Sequence, residues 1–495
     1  MLQNKKCTVL GGGTAGWLTA LFLKHYWPTV DVEVLEDPSK PPIIAGESGG
    51  AGLTELLRKL GVNIEEWARS VGATPKLGGT FTGWGGEDHS FYHALFSPFE
   101  NKWLDKFGHT EHNRLFYIKA LISAGIPLHD AVWAGPVMRD NRVPYNEDLE
   151  NISGYDGLWH FDSRANADYL KKLGISHNIK LVEGTYTNAD KDVHGNLTSL
   201  NLVDGRKIQS DWYFDCSGFA RLLLVKEYNI PATDYSAFFP ARAVVAWWDK
   251  PNYNSSTVAT AMSAGWSWRI GLRKRTGQGY LYDPDELTKD QALEEAREKF
   301  GQHIEPVANL TFTPCMLTKH RLHNVFGVGL STGFMEPLEA NGVGMIVDAL
   351  SALYSAWNPD LNPQDPELEK FNLMMDGAVE NIRDFLLLHY RGKGLDTPFW
   401  RNMQDPHRVP DSIRDRLASW EEFYRTGKYD PIKYDNQFSP ESWLTVIQGL
   451  NLIDPSIIDI KDVGPYAVKY CQEEKQRQHA TQSKCIRIEE WIKRT

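Results

Sequence analysis

Three segments in which a short apolar strand leads into a glycine-bearing turn predict an α/β fold. The first turn follows residues 7–10, the second follows a strand ending at Phe214, and the third lies within residues 325–330. Such turns join strands to helices in doubly wound sheets, so we expect the three to form one domain assembled from discontinuous segments. Between them we expect an inserted antiparallel sheet, and after residue 346 a mainly helical region.

The first turn has the spacing of a dinucleotide-binding fingerprint. Its G-x-G-x-x-G pattern, residues 11–16, lies between a β-prone run and a helical one, and a second strand, 32–35, follows. In this pattern the first glycine permits a tight bend, the second lets the backbone approach a pyrophosphate, and the third allows close packing. An acid at the end of the second strand can accept hydrogen bonds from a ribose. The candidate cofactor-binding residues are Gly11, Gly13, Thr14, Ala15, Gly16 and Glu36. The alternative is an ordinary glycine-rich turn.

The later turns favour FAD over NAD. Asp204-Gly205 is a turn, Lys207 to Phe214 is predicted to be a strand, and Asp215-Cys216-Ser217-Gly218 follows it. This order resembles the second nucleotide-contacting segment of FAD-dependent monooxygenase-like proteins, the GR2 type of Rossmann-like domain. The third segment adds Gly329. We therefore expect Asp215, Gly218 and Gly329 to contribute to an FAD site.

Composition excludes several classes of function. The 495 residues suggest two or three domains, and a net charge of −11 argues against a nucleic-acid partner. The five cysteines contain no C-x-x-C pair, which indicates neither a disulfide framework nor a metal site. No apolar stretch reaches the roughly 18 residues of a spanning helix, so we expect a cytoplasmic protein without a membrane partner.

The predicted FAD domain is interrupted by insertions. Helices are expected at 346–357, 368–390 and 410–424, and a charged surface helix at 471–495. The predicted segments are 1–105 (first FAD part, with the Lys76 loop), 106–150 (insertion and substrate region), 151–225 (second FAD part), 226–310 (antiparallel sheet), 311–357 (third FAD part, with a halide site) and 358–495 (helical substrate-binding region).

Two tryptophans one residue apart, Trp266 and Trp268, lie in the predicted antiparallel sheet. On a strand, residues i and i+2 point to the same face, so the two indoles should form one aromatic wall. Such a wall is either core packing or a partition between two compartments of an active site.

The order of motifs along most of the chain resembles that of flavin-dependent halogenases of the tryptophan-halogenase family. The motifs that carry the resemblance are Gly11 to Gly16, Thr74 to Gly78 with Trp84, His160 to Asp162, Asp215 to Phe219, Trp266 and Trp268 before Ile270, Glu336 to Glu339 with Gly342, His389-Tyr390, and Asp396 to Trp400.

The resemblance implies a two-component enzyme in which reduced FAD from a separate reductase, O2 and halide yield hypohalous acid. That oxidant would pass through a tunnel to Lys76, which delivers electrophilic halogen to an aromatic substrate. By itself Lys76 would be read as a surface lysine. The resemblance also assigns Glu339 as the essential carboxylate, and a halide is expected at the backbone N–H groups of Asn341 and Gly342. Alone, Glu339 would be a helix N-terminal acid. We further expect a homo-oligomer.

The sequence departs from the family pattern in three places. Ala340-Asn341 replaces Ser-Thr beside the expected halide, which predicts a changed preference, toward bromide or iodide. Gly271 replaces a proline and should loosen the strand end after the tryptophans. Gly329-Leu330-Ser331 replaces Gly-Asp-Ala, which puts one flavin hydrogen bond in doubt.

The resemblance implies that the substrate is a small aromatic molecule. Phe91 and His93 resemble a segment that contacts an indole in some family members, but Leu95 stands where a second ring is expected. His93 could equally be a core histidine or, with His89, mimic a metal pair. We expect electron-rich aromatics of indole or phenol type rather than free tryptophan alone. Two alternatives are an FAD-dependent aromatic hydroxylase and a non-catalytic FAD-binding protein.

Overall fold

The computed structural model describes residues 5–40, 46–94, 111–131, 134–144, 158–428, 438–458 and 485–495. The chain forms two compact units. Unit 1 comprises Met1–Ala73, Phe161–Ser236 and Thr313–Val379, and unit 2 comprises Thr74–His160, Ala237–Phe312 and Glu380–Thr495. The predicted first FAD segment, 1–105, thus contributes residues to both units.

The strands are β1 Lys6–Leu10, β2 Asp31–Glu36, β3 Gly46–Gly49, β4 Thr74–Lys76, β5 Gly78–Thr82, β6 Ser90–Ala94, β7 Arg142–Pro144, β8 Leu158–Asp162, β9 Lys180–Glu183, β10 Tyr186–Lys191, β11 Leu197–Leu202, β12 Lys207–Ile208, β13 Trp212–Asp215, β14 Ala232–Asp234, β15 Ala243–Asp249, β16 Thr257–Met262, β17 Gly265–Gly271, β18 Thr276–Tyr282, β19 Pro306–Thr311, β20 Cys315–Leu317, β21 Arg321–Leu322, β22 Val325–Gly327, β23 Gly333–Phe334 and β24 Cys485–Arg487. The helices are α1 Thr14–Tyr26, α2 Ala51–Lys59, α3 Ile64–Ser70, α4 Glu111–Ser123, α5 Ala134–Arg139, α6 Ser163–Ser176, α7 Lys289–Phe300, α8 Asn341–Ala356, α9 Glu369–His389, α10 Pro398–Met403, α11 Asp411–Thr426, α12 Pro440–Gly449 and α13 Ile488–Arg494.

Unit 1 is built on a six-stranded sheet in the order β21-β22-β13-β1-β2-β9. The strands β22, β13, β1, β2 and β9 run parallel, and all four residues of β13 are buried. Strands buried on both faces are mostly apolar, and β1 and β2 follow this rule except at Thr8 and Glu33, where the Thr8 hydroxyl donates to the buried Glu33 carboxylate at 3.0 Å. The carboxyl ends of β1, β13 and β22 carry the three predicted turns. The α/β class and the Rossmann-like domain are therefore confirmed.

Unit 2 contains a seven-stranded sheet in the order β19-β15-β18-β17-β16-β5-β6. Neighbours pair antiparallel except β5 and β16, which are parallel. The antiparallel sheet expected within 226–310 is present. It also recruits two strands from residues 78–94, a long-range pairing that local patterning does not encode.

Several predicted elements differ at their ends. The single strand expected from Lys207 to Phe214 is two strands, β12 and β13, because Ser210 turns the chain and donates its N–H to the Tyr213 hydroxyl at 2.9 Å. Helix α8 begins five residues before the predicted start. Of the predicted C-terminal surface helix, the described part is β24 and α13, and Trp491 of α13 is buried. Residues 471–484 lie outside the described residues.

Among the described residues, no helix has the length and apolar character needed to span a membrane. That same part of the chain contains no group of three His, Cys, Asp or Glu side chains arranged to hold a metal ion. His89 precedes β6 and His93 lies within it, so these two histidines do not share a helical face.

Candidate active site

The glycine turn between β1 and α1 combines close packing with one open position. A Cβ on Gly11 would lie 2.3 Å from the Cys216 carbonyl oxygen, and one on Gly16 would lie 1.8 Å from that of Gly11. Gly11 also has a φ of +124°, which favours glycine. A Cβ on Gly13, by contrast, would meet nothing within 4 Å. The turn therefore leaves open space beside Gly13, at the N-terminus of α1 where Thr14 and Ala15 begin the helix.

Glu36 lies against this turn. A Cβ on Gly12 would be 2.6 Å from the Glu36 carboxylate, so the acid packs directly against the backbone of the turn. Glu36 Oε2 accepts a hydrogen bond from Lys171 Nζ at 2.9 Å, and both side chains are partly exposed. Glu36, the predicted ribose acceptor, thus lies beside the glycine turn. Its lysine partner was not found from the sequence.

Asp215 organises the second turn. Its Oδ1 accepts hydrogen bonds from the backbone N–H and hydroxyl of Ser217, and its Oδ2 accepts from the N–H groups of Leu223 and Leu224 at 2.8 and 3.0 Å. The carboxylate is fully buried. The Asp215 carboxylate therefore binds the loop that follows it and does not point out of that loop. Gly218, in the same loop, has a φ of +63°, and a Cβ on it would meet nothing within 4 Å.

The third turn packs onto the first. Gly329 has a φ of +73°, and a Cβ placed on it would lie 3.2 Å from side-chain atoms of both Ala15 and Ile346. Ser331, one of the departures from the family pattern, donates its hydroxyl to the Asp215 carbonyl. The three turns thus meet at one edge of the sheet. Open backbone at Gly13 and Gly218 beside a helix N-terminus fits the pyrophosphate of a dinucleotide.

The turn that enters α8 carries the predicted carboxylate. Glu339 and Ala340 both adopt left-handed conformations, with φ values of 59° and 60°. The Asn341 Nδ2 donates to the carbonyls of Glu336 and Leu338 at 2.6 and 2.8 Å. A Cβ on Gly342 would meet nothing within 4 Å. The side of α8 on which a Gly342 side chain would lie is therefore open, and the first backbone N–H groups of a helix are donors of the kind that bind an anion.

Lys76, in unit 2, is buried, with 4% of its surface exposed. It ends β4, which pairs antiparallel with β8 so that Lys76 lies opposite Leu158. Two contacts fix this segment to the large sheet. The Thr74 hydroxyl donates to the Gly271 carbonyl at 2.6 Å, and the Leu77 N–H donates to the Ser255 carbonyl at 2.6 Å. Without the family resemblance, the sequence predicts that Lys76 lies on the surface of the protein, and this prediction is wrong.

His160 is the neighbour of Lys76 whose role sequence reasoning missed. It lies opposite Thr74 in the β4–β8 ladder, is fully buried, and its Nε2 is 2.8 Å from the Thr257 hydroxyl. Burial and then the charge of Lys76 hold the pKa of His160 well below its usual value. The imidazole is therefore neutral at neutral pH and does not add a second charge beside the lysine.

Trp266 and Trp268 share one face of β17, with ring centroids 6.1 Å apart. Trp268 lies opposite Gly279, where a Cβ would be 2.2 Å from its ring, so glycine makes room for the indole. Trp266 is 2% exposed. Strand β17 extends to Gly271, which pairs with Thr276 and whose carbonyl accepts the Thr74 hydrogen bond. The loosening expected at this strand end stays a prediction.

The aromatic wall continues across the sheet. Trp268 lies opposite Ala259, Ala259 opposite Phe81, and Phe81 opposite Phe91, which stacks on it at 4.7 Å. Directly opposite residues share a face. Phe91 is buried in this face. The ring of His93, further along β6, packs against the ring of Phe385, with 5.7 Å between the ring centroids.

The remaining motifs cover this same face. Trp84 has its ring 6.1 Å from Trp266 and 6.1 Å from His389, and its Nε1 donates to the Ala259 carbonyl. Trp400 Nε1 donates to the Met262 carbonyl at 2.9 Å, and the Thr397 hydroxyl donates to the Ser263 carbonyl at 2.6 Å. Motifs far apart in the sequence thus converge around β16 and β17.

Comparisons with known proteins give one consistent result. A family model described as tryptophan halogenase matches residues 6–461. Tryptophan 7-halogenase RebH of Lentzea aerocolonigenes is 30% identical over 459 residues, which cover 85% of this chain and 82% of RebH. Tryptophan 6-halogenase ThaL of Streptomyces albogriseolus is 30% identical, covering 86% of this chain and 82% of ThaL. In fold, the chain is similar to Xcc4156, a flavin-dependent halogenase from Xanthomonas campestris, with a TM-score of 0.85 at 24% identity, covering 99% and 98% of the two chains.

Proposed function

Because the chain belongs to the tryptophan halogenase family of flavin-dependent enzymes, we propose that it halogenates electron-rich aromatic molecules through Lys76. The observation that carries this proposal is the burial of Lys76 on a short, doubly anchored strand. Burying the charge of a lysine is costly, and of the two buried lysines among the described residues, Lys76 and Lys119, Lys76 is the one that lies in a motif of the family resemblance. Hypohalous acid is indiscriminate, so a fixed amine must aim it at one carbon of the substrate.

Glu339 is the proposed carboxylate of the reaction. Electrophilic substitution of an aromatic ring passes through a cation, which a carboxylate stabilises before accepting the leaving proton. The left-handed backbone at Glu339 supports this role, since non-glycine residues are held in that region chiefly where the geometry is needed.

FAD is the proposed cofactor, held by the turns of unit 1. The N–H groups at the start of α1 would bind the pyrophosphate beside Gly13, and Glu36 would accept hydrogen bonds from the ribose. Asp215 would hold the loop that carries Gly218. In its reduced form FAD would supply, with O2 and halide, the hypohalous acid. Trp266 and Trp268 would form a partition that keeps the aromatic substrate from approaching the flavin directly.

The halide is proposed to bind the backbone N–H groups of Asn341 and Gly342. The Asn341 Nδ2 is engaged by two carbonyls, and Ala340 has no polar group, so side-chain donors do not add to this anion site. Because Ala340 and Asn341 change the shape and polarity of the halide site, we expect bromide or iodide to compete with chloride. Strict chloride preference in a competition assay would contradict this expectation.

The substrate is proposed to be an indole or phenol, and the reduced flavin to come from a separate reductase. Each of the two relatives compared is a tryptophan halogenase by name. Phe91 is 1% exposed and stacks on Phe81, and His93 is 9% exposed, so neither of these proposed substrate contacts lies on the open surface. A homo-oligomer is likewise a proposal, which gel filtration would test.

The test supplies reduced FAD, O2 and each halide with a panel of indoles and phenols, and measures product mass. Lys76→Met is compared with Lys119→Met, which removes another buried lysine of unit 2 from outside the motifs. Thermal unfolding of both variants verifies that each is folded.

A halide-dependent mass gain that is lost in Lys76→Met and retained in Lys119→Met supports the proposal. An oxygen-sized gain that does not depend on halide would identify an aromatic hydroxylase instead. Equal loss in both folded variants would remove Lys76 from its assigned role.

A further inference from the structure

The turn before α8 places two consecutive non-glycine residues in the left-handed region. Glu339 has φ 59° and ψ 17°, and Ala340 has φ 60° and ψ 28°. L-residues with a Cβ are strained in this conformation, so surrounding contacts must offset the strain. Ala340 is also the N-cap of α8, and its methyl group cannot cap the helix. The offset must therefore come from elsewhere.

The Asn341 side chain supplies two of the contacts that close this turn. It is 1% exposed, and its Nδ2 donates to the carbonyls of Glu336 and Leu338, one on either side of Pro337. We call this arrangement the Asn341 clamp. It ties the first residue of α8 back to the chain that precedes Glu339.

The clamp has a local cost in stability. Within the described residues the Asn341 Oδ1 is buried and accepts no hydrogen bond. A buried acceptor without a donor is destabilising, and the amide cannot be turned to satisfy it, because only its NH2 group can donate to two carbonyls. Arrangements that lower stability locally are typical of functional positions.

We propose that Asn341 is a positioning residue, whose side-chain amide holds the left-handed turn and thereby fixes the direction of the Glu339 carboxylate. This inference rests on the proposed function, in which Glu339 serves the aromatic substitution. Asn341 acts through the backbone of residues 336–341. Its side chain has no contact with substrate in this proposal, separate from the halide role proposed for its backbone N–H.

The experiment uses the full chain in four forms: wild type, Asn341→Ala, Ala340→Gly with Asn341→Ala, and Ala340→Gly alone. Asn324→Ala is the matched control, because Asn324 is a buried asparagine of unit 1 whose Nδ2 also donates to two backbone carbonyls, at 2.8 and 2.9 Å. For each protein we measure kcat and KM for bromination of an indole, and the unfolding temperature.

We expect Asn341→Ala to lower kcat about tenfold with little change in the KM for the indole, because the lost interaction acts in the chemical step. Glycine adopts the left-handed region freely, so Ala340→Gly should restore much of that kcat. Asn324→Ala should lower the unfolding temperature while its kcat stays within about twofold of wild type. Unchanged kcat in Asn341→Ala, or no recovery in the double variant, would overturn the proposal.

Failure of the proposed function gives a different pattern. If wild type forms no halogenated product from any aromatic tested, halogenation is refuted and Glu339 loses its assigned role. The positioning proposal is then refuted as well, even if Ala340→Gly raises the unfolding temperature of the Asn341→Ala protein more than it raises that of wild type. If wild type is active, this difference between the two changes in unfolding temperature supports the clamp.

Discussion

Replacing Trp266 with phenylalanine tests whether the aromatic wall serves chemistry or only packing. The Trp266 Nε1 is buried and has no hydrogen-bond partner among the described residues, so the substitution removes no hydrogen bond. It removes about 40 Å³ of side chain, and at roughly 24 cal/mol per Å³ the cavity costs about 1 kcal/mol. Lost apolar burial adds roughly another 1 kcal/mol, for a total of about 2 kcal/mol.

Trp247 provides a control with the same stability cost. It is fully buried, its Nε1 also has no partner in the described part of the chain, and it packs on Phe300 at 6.0 Å. It lies opposite Gln278, whereas Trp268 lies opposite Gly279, so Trp247 is on the other face of the sheet. Trp247→Phe should therefore destabilise the protein by a similar amount and leave the aromatic wall intact.

The assay is product mass per reduced FAD consumed, with a bromide salt and an indole or phenol substrate. Trp266→Phe should lower the yield of halogenated product severalfold and raise the share of oxygen-sized products, while Trp247→Phe keeps the wild-type ratio. Equal product ratios in the two variants, together with equal unfolding temperatures, would refute the partition and return Trp266 to core packing.

Three further predictions concern substitutions of single residues. Gly13→Ala should fold normally, because its Cβ meets nothing, yet bind FAD about tenfold more weakly in a fluorescence titration. Gly16→Ala should fail to fold, because its Cβ would overlap the Gly11 carbonyl, and normal solubility would contradict this. Burial lowers the pKa of His320 to about 4 in the folded protein, whereas a histidine in the unfolded chain has a pKa of about 6.5. As the pH falls below about 6.5, the unfolded chain therefore binds a proton before the folded protein does. Stability should therefore drop by about 2 kcal/mol between pH 7 and pH 5 from this group, and urea midpoints of His320→Leu should show a correspondingly smaller drop.

The seven-stranded sheet shows where sequence reasoning stopped. The strand that bears Trp266 and Trp268, and the shared face of the two indoles, follow from the period of a strand. The parallel pairing of β5 with β16, which brings Phe81 and Phe91 onto that face, joins residues about 180 positions apart. Nothing local at residues 78–94 distinguishes this partner from another strand.

The sequence by itself determined the features that depend on backbone conformation over a few residues. Gly11 and Gly16 are required by a bend and a close approach within six residues, and the short, largely apolar runs of β1 and β2 indicate buried strands. The tertiary structure alone decided the burial of Lys76, the neutral His160 beside it and the Asn341 clamp. Each of these depends on which groups remove water or offer a hydrogen bond from elsewhere in the fold. Such effects arise from distance in space and leave no periodic signal along the chain.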